Sequence, residues 1–298
     1  IGGLSGIAYD PTLGVYYALA DDRSSDARFY TLGIDLNDGG LDEGDVEFQT
    51  VTQLRDAEGN PFLDGVLDPE GIALTGIGTL YISSEGDANQ LIAPFVRQFS
   101  ITGQQLSELP VPAKYLPMAD QSSGIRNNLA FESLTLTPNQ RFLYTATENA
   151  LFQDGPQATL DDPSLSRILK YDLSTGEPVA EFVYEVDEVP DEPDPADGFA
   201  TNGLVELLAL DNNGTFLALE RGFSLGAGNT VKLYQVNTQG ALDVLGTPDL
   251  FREGAIEVDD EILPPGPFEI DPAVIKTELL DIEADLGIEP DNLEGIAL

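Results

Sequence analysis

The sequence predicts an all-β fold, a β-propeller of five or six blades, each a four-stranded antiparallel sheet, with the last blade incomplete at the C-terminal end. Three observations predict it. One phrase recurs along the chain, each copy reads as a hairpin, and two further strand-like segments follow each hairpin.

The phrase is an apolar run, a turn, and a second apolar run that ends in an acid. Its copies are LSGIAYDPTLGVYYALADD (Leu4 to Asp22), PEGIALTGIGTLYISSEGD (Pro69 to Asp87), FESLTLTPNQRFLYTATEN (Phe131 to Asn149) and VELLALDNNGTFLALERG (Val205 to Gly222). Ile72 and Leu74, then Leu80 and Ile82, alternate with period two around a Gly-rich turn. Pro138-Asn139 and Asn212-Asn213-Gly214 supply the same turn chemistry. Third strands are predicted from Arg28, Arg97, Arg167 and Lys232 onward. Fourth strands are predicted at Val46 to Val51, Gln105 to Leu109, Pro178 to Tyr184 and Ala241 to Leu245.

A fifth copy begins as LEGIAL (Leu293 to Leu298), and the remaining strands of that blade would lie beyond Leu298. The long interval before it leaves room for a sixth, worn copy. Asp271 to Leu286 is predicted as a helix on the rim, with Pro272 in its first turn and apolar residues at helical spacing. The repeat runs from end to end, so residues 1–298 read as one domain.

Composition narrows the chemistry. The 298 residues carry 53 Asp and Glu against 13 Lys and Arg, a formal net charge of −40, with no His and no Cys. That excludes a Ser-His-Asp triad, a thiolate nucleophile, disulfides and a His or Cys zinc site. So acidic a surface repels nucleic acid and anionic membrane. No apolar run approaches the ~20 residues of a membrane-spanning helix. Chemistry must fall to carboxylates, hydroxyls, Lys, Arg or a bound metal.

The repeat says where the acids collect. The start of a blade's first strand and the end of its second share one rim of the disk. The recurring first-strand position is Ser5, Glu70, Glu132, Glu206 and Glu294. The rim sets are Asp21 and Asp22 with Arg23 and Arg28; Glu70, Glu85 and Asp87 with Arg97; Glu132 and Glu148 with Arg167; and Glu206 and Glu220 with Arg221 and Lys232. Glutamates converging on one channel mouth repel one another. Relief comes from pairing with each blade's Arg or Lys, from neighbouring backbone amides, or from a hard cation. All-oxygen ligation suits Ca²⁺.

GLSGIAYDP with YYALADDR, DPEGIAL with LYISSEGD, SSGIRNNLAFESLTLTPNQRFLYTATENAL, and NGLVELLALDNNGTFLALERGF together resemble the phytase-like propeller family known by "esterase-like activity of phytase". The resemblance spans the chain. It implies a secreted, periplasmic or surface protein, often bacterial, that hydrolyses phosphate esters with Ca²⁺. The first-strand glutamates are also similar to those of lactonase-type propellers, whose channel Glu binds Ca²⁺. On this reading Glu70, Glu132, Glu206, Glu294, Asp21, Asp22, Asp87 and Glu220 hold Ca²⁺. Arg28, Arg97, Arg167 and Lys232 clamp the phosphate, and Glu85 or Glu148 takes a proton from water. The expected partner is a small phosphorylated substrate, an inositol phosphate among the candidates, and the protein is expected to be a monomer. Two alternatives stand beside it, a non-catalytic extracellular Ca²⁺-binding or adhesion propeller and a lactone or carboxylic ester hydrolase with one Ca²⁺.

Overall fold

The computed structural model describes residues 3–37, 39–252, 256–258, 261–263, 266–267 and 274–297. Four sheets of four antiparallel strands dominate it. The first is β1 (Leu4–Asp10), β2 (Val15–Ala20), β3 (Arg28–Ile34) and β4 (Val46–Gln53). The second is β5 (Pro69–Leu74), β6 (Thr79–Ser84), β7 (Phe95–Ser100) and β8 (Gln105–Leu109). The third is β9 (Phe131–Leu136), β10 (Phe142–Thr147), β11 (Ser164–Asp172) and β12 (Glu177–Val186). The fourth begins with β13 (Ala200–Ala209), β14 (Thr215–Ser224) and β15 (Gly228–Asn237). Two short ribbons follow, β16 (Phe251–Arg252) with β19 (Gly266–Pro267) and β17 (Ile256–Val258) with β18 (Glu261–Leu263). Then β20 (Ile275–Asp281) returns to pair with β15.

Strand propensity and the two-residue period explain these elements. In β6 every residue from Leu80 to Ser84 is buried, because both faces of a blade are covered by neighbouring blades. The apolar cores lie between sheets. Leu19 and Phe29 of the first sheet pack with Leu80, Ile82 and Phe99 of the second. Val96 and Leu109 of the second pack with Phe131, Leu143 and Leu169 of the third. Ile168 and Tyr184 of the third meet Leu207, Phe216 and Tyr234 of the fourth. Each such side chain is stabilised by roughly 1.5–3 kcal/mol on leaving water.

The innermost strands touch in the order β1, β5, β9, β13. Glycine permits the close approach: a Cβ on Gly6 would lie 3.3 Å from the Ile72 nitrogen, and one on Gly71 2.7 Å from the Leu134 nitrogen. The 293–297 segment repeats the device, since a Cβ on Gly295 would lie 3.3 Å from the Ile7 nitrogen. It therefore occupies the next innermost position in the ring without forming a strand.

Three expectations are corrected. The described residues form four four-stranded blades, not five or six. The fourth strand of the last sheet is β20, not Ala241 to Leu245; Val244 and Leu250 instead pack on Val183 of the third blade. Of the helix expected at 271–286, residues 271–273 lie outside the described residues, and Ile275–Asp281 is strand because it pairs with β15. Only Ile282–Leu286 is helical (α1), capped by Asp281 at the Ala284 nitrogen and closed by Gly287 in the left-handed conformation.

Candidate functional site: an acidic channel mouth

Each innermost hairpin carries a register shift, near the start of the first strand at Leu4/Gly6 and Pro69/Ile72, between Phe131 and Ser133 opposite Ala146/Thr147, and within β13 at Leu204/Glu206. Such a bulge re-aims the residue it leaves unpaired. In the first three blades that position holds Ser5, Glu70 and Glu132. Glu70 and Glu132 both become buried, and Ser5 donates to the Pro69 carbonyl at 2.9 Å.

Two acidic trios result. Oxygens of Asp21, Asp68 and Glu70 lie within 4.8 Å of one another, as do oxygens of Glu85, Glu132 and Glu148. Asp21 is exposed and the other five are buried. The trios share one field. Burial raises Glu70 well above the ordinary carboxylate range, helped by Glu85, Asp68, Asp21 and Glu294. Glu132 is raised by burial and then by Glu70, Glu85, Glu148 and Glu294. Burial likewise raises Glu85, with Glu148 and Asp68 adding to it against the Ala130 amide that its Oε1 accepts. Glu148 is pushed up to about 7 by burial, with Arg221 opposing and Glu294 adding.

Two guanidiniums sit among these acids. Arg23 pairs with Asp68, approaches Glu85 Oε2 at 3.8 Å and donates to Asn128 Oδ1 at 2.5 Å. Arg221 pairs with Glu294, donates to Asn292 and lies 3.7 Å from Glu148. Beside Glu148 and Arg221 a cavity of about 340 Å³ opens between the third and fourth blades.

The donor set fits a hard divalent cation. Asp68 Oδ1 and Glu85 Oε2 are buried with no hydrogen-bond partner among the described residues, and Asp68 Oδ2 pairs with the Arg23 guanidinium. Buried, unpaired carboxylate oxygens are costly unless a cation or a proton meets them. With neither His nor Cys in the chain, every side-chain ligand the two trios offer is a carboxylate oxygen.

The predicted site residues divide. Glu70, Glu85, Glu132, Glu148, Glu294 and Asp21 are brought together. Glu206 is not: its carboxylate accepts the amides of Leu207, Leu134 and Ile296, and it lines a second cavity of about 500 Å³ among first-strand apolar residues. Glu220 is taken by Lys276, Tyr184, Asn202 and the Asp187 amide. The cause is register. Ser133 faces Ala146 and Gly6 faces Leu19, and it is Glu206 that faces Leu219. The fourth hairpin is thus displaced by one residue, which turns each side chain to the other face. Val205 occupies the Glu132 position, and Arg221 occupies that of Glu148.

Asp22 and Asp87 also stay out of the trios. Asp22 pairs with Arg28 and caps the Ser24 amide at 2.9 Å; Asp87 caps the 3₁₀ turn at Ala88–Gln90. None of the four predicted phosphate clamps reaches the mouth. Arg28 pairs with Asp22 and donates to the Tyr30 hydroxyl at 2.7 Å. Arg97 lies within β7, paired to Glu108 at 2.9 Å and stacked on Phe95. Arg167 is fully buried between Asp154 and Glu181, at 2.6 and 2.5 Å. Lys232 pairs with Glu278 at 3.2 Å toward β20. The third strands begin two to four residues earlier than predicted in these blades, which carries Arg97, Arg167 and Lys232 away from the rim. Sequence reasoning passed over Asp68, although Asp68-Pro69-Glu70 places a second acid beside the recurring one.

A secreted protein of Arthroderma benhamiae, itself uncharacterized, is 28% identical over 188 residues, 54% of this chain and 35% of the relative, so the match spans about a third of that protein's length. Among solved structures, U3-55K aligns with a TM-score of 0.37 and 10% identity over 80% of this chain and 59% of its own. The Dos1 propeller aligns with a TM-score of 0.36 and 10% identity over 78% and 56%. A putative 6-phosphogluconolactonase from Bacteroides uniformis aligns with a TM-score of 0.36 and 14% identity over 90% and 73%. The phytase-like family model, described as "esterase-like activity of phytase", matches residues 1–298, and the chain belongs to that family.

Proposed function

We propose that the acidic mouth is the active site of a Ca²⁺-dependent phosphoric ester hydrolase. The observation that carries this reading is the pair of carboxylate trios, buried but for Asp21, with unpartnered oxygens on Asp68 and Glu85 among the described residues, and with Glu148 of the second trio lining a cavity beside Arg221. Glu85 and Glu132 would hold the cation beside Glu148, and Asp21, Asp68 and Glu70 offer a second set of ligands. When bound the cation would offset the clustered charge, bind the phosphate and make a water more acidic.

The chain's own residues do the rest. Arg221 orients a phosphoryl oxygen at the cavity edge; its planar fork suits that task. Glu148 accepts a proton from the water whose oxygen bonds to phosphorus. The P–O bond to the alcohol breaks, and the departing oxygen is protonated from solvent at the open mouth. Glu85 fixes the floor through the Ala130 amide. Export from the cell is the accompanying proposal, supported by the fungal relative's description as secreted. Among the described residues no helix is long and apolar enough to cross a membrane.

The test is phosphomonoester turnover in Ca²⁺ and in EGTA, for the parent chain and Glu132→Gln. Ca²⁺-dependent phosphate release, lowered at least about a hundredfold by Glu132→Gln, is expected. Equal release in EGTA, or none from any ester tried, would overturn it.

A further inference from the structure

We infer that the cavity between the third and fourth blades is a subsite for a neutral, ring-shaped polyhydroxy alcohol of the pyranose type, so that the ester hydrolysed is a sugar monophosphate and not a polyphosphorylated compound. This rests on the hydrolase reading for its phosphate, but the subsite itself stands on separate observations.

The first is a matched pair of unsatisfied atoms. Asn127 Oδ1 and Arg221 Nε are buried without hydrogen-bond partners among the described residues, and both residues line the cavity. One is an acceptor and the other a donor. A hydroxyl is the group that both donates and accepts, so vicinal hydroxyls answer the two together. Leaving such atoms unmet is costly in a folded protein, which is a reason to seek their partner in a ligand. Asn229, Gln157 and Thr201 add further amide and hydroxyl groups to the wall.

The second is an aromatic wall. Phe199 and Phe223 line the same cavity with ring centroids 6.2 Å apart and planes tilted by 36°. Phe199 remains 63% exposed, a large apolar face without enough protein to cover it. A flat C–H face of a sugar ring covers such a surface while its hydroxyls meet the amides at the rim. Acyclic alcohols lack that face. Simple aromatic alcohols lack the hydroxyls.

The third is charge. Arg221 is the cation lining this cavity, and Glu294 and Glu148 already flank it. Arg23, which reaches the cavity edge through Asn128, is paired with Asp68, Arg126 is held by the Ala150 and Gly155 carbonyls, and Arg28, Arg97, Arg167 and Lys232 are committed elsewhere. A second or third phosphate on the ring would therefore face carboxylates without a counter-charge, and such esters are selected against.

Saturation-transfer NMR with methyl glucopyranoside tests the subsite without needing turnover. Transfer to the ring protons is expected in EGTA as well as in Ca²⁺, about tenfold weaker binding in Phe199→Ala, and a similar loss in Asn127→Leu. Phe199 is exposed, so its truncation leaves the fold intact. Transfer no stronger than to butanediol, or undiminished in both variants, would overturn the subsite. A turnover panel adds the phosphate arm: glucose 1-phosphate is expected to outpace para-nitrophenyl phosphate and inositol hexakisphosphate. Preference for the hexakisphosphate would defeat the inference and leave the hydrolase reading intact. Pyranoside binding with no turnover of any ester would uphold the subsite and end the hydrolase reading.

Discussion

Raising the pH of the metal-free protein from about 5 to about 8 should lower its stability, and Glu148 sets the scale. Its carboxyl moves from an ordinary value of 4.5 to about 7, chiefly through burial. Between those values the folded chain keeps a proton that the unfolded chain has released. Stability is then fully present below about 4.5 and is lost as pH rises through about 7. A gap of that size corresponds to about 3 kcal/mol. For a chain of 298 residues, that is a fall in Tm of about 5 °C. Glu70, Glu85 and Glu132 are raised in the same direction and steepen the fall. Asp172 does not obscure it, since its bonds with Ser174 and Arg141 lower it to about 2 and it finishes titrating below this window. The assay is thermal unfolding by circular dichroism in EGTA across the range, repeated with Glu148→Gln and with excess Ca²⁺. The variant should flatten the slope, and Ca²⁺ should raise Tm most at the alkaline end, where the carboxylates are free to bind it. A metal-free Tm that is constant or climbs between about pH 5 and about 7 would refute the reasoning.

Other outcomes follow from the same geometry. A Cβ at residue 203 would overlap Glu148 Cγ and Oε1, so Gly203→Ala should displace that carboxylate and cut turnover about a hundredfold with the circular dichroism spectrum unchanged. Arg167→Met should cost about 3–5 kcal/mol in denaturant unfolding, because Asp154 and Glu181 are left buried beside an apolar chain, while turnover per folded molecule stays at the parent value. Arg97→Ala should change stability by no more than about 1 kcal/mol and leave turnover alone, its ion pair with Glu108 being partly solvated; a tenfold loss of turnover would return Arg97 to the site.

Much of the fold was legible because alternation and turn chemistry are local. Arg28–Ile34 and Gln105–Leu109 form strands with the predicted bounds, and all four hairpins are present. What the sequence concealed depended on partners distant in the chain. Ile275–Asp281 carries apolar residues at helical spacing, yet the open edge of β15 offered a row of unpaired amides and carbonyls, and pairing there outweighed intrinsic preference. Ala241 to Leu245 lost that edge and turned instead to Glu181, whose amide and carbonyl meet Asp243 and Val244.

The site was legible in residue type but not in register. Matching VELLAL to FESLTL by their glutamates is the natural alignment, and it puts Glu206 beside Glu132. The hairpin turn decides otherwise, because Ala209 faces Phe216 just as Leu136 faces Leu143. Counting back from the turn leaves an apolar Val205 where the acid was expected, and carries Arg221 to the mouth where the other blades place Asp21, Glu85 and Glu148. That single displacement changes the electrostatics of the ring. Asp21, Asp68, Glu70, Glu85, Glu132, Glu148 and Glu294 are seven acids, Arg23 and Arg221 two bases, and the difference is five formal negative charges. Had Glu206 joined and Arg221 stayed outside, the excess would be seven. The guanidinium therefore does at the fourth blade what a further cation would otherwise have to do, and the charge that remains lies nearest the first three blades, where the unpartnered oxygens of Asp68 and Glu85 are found.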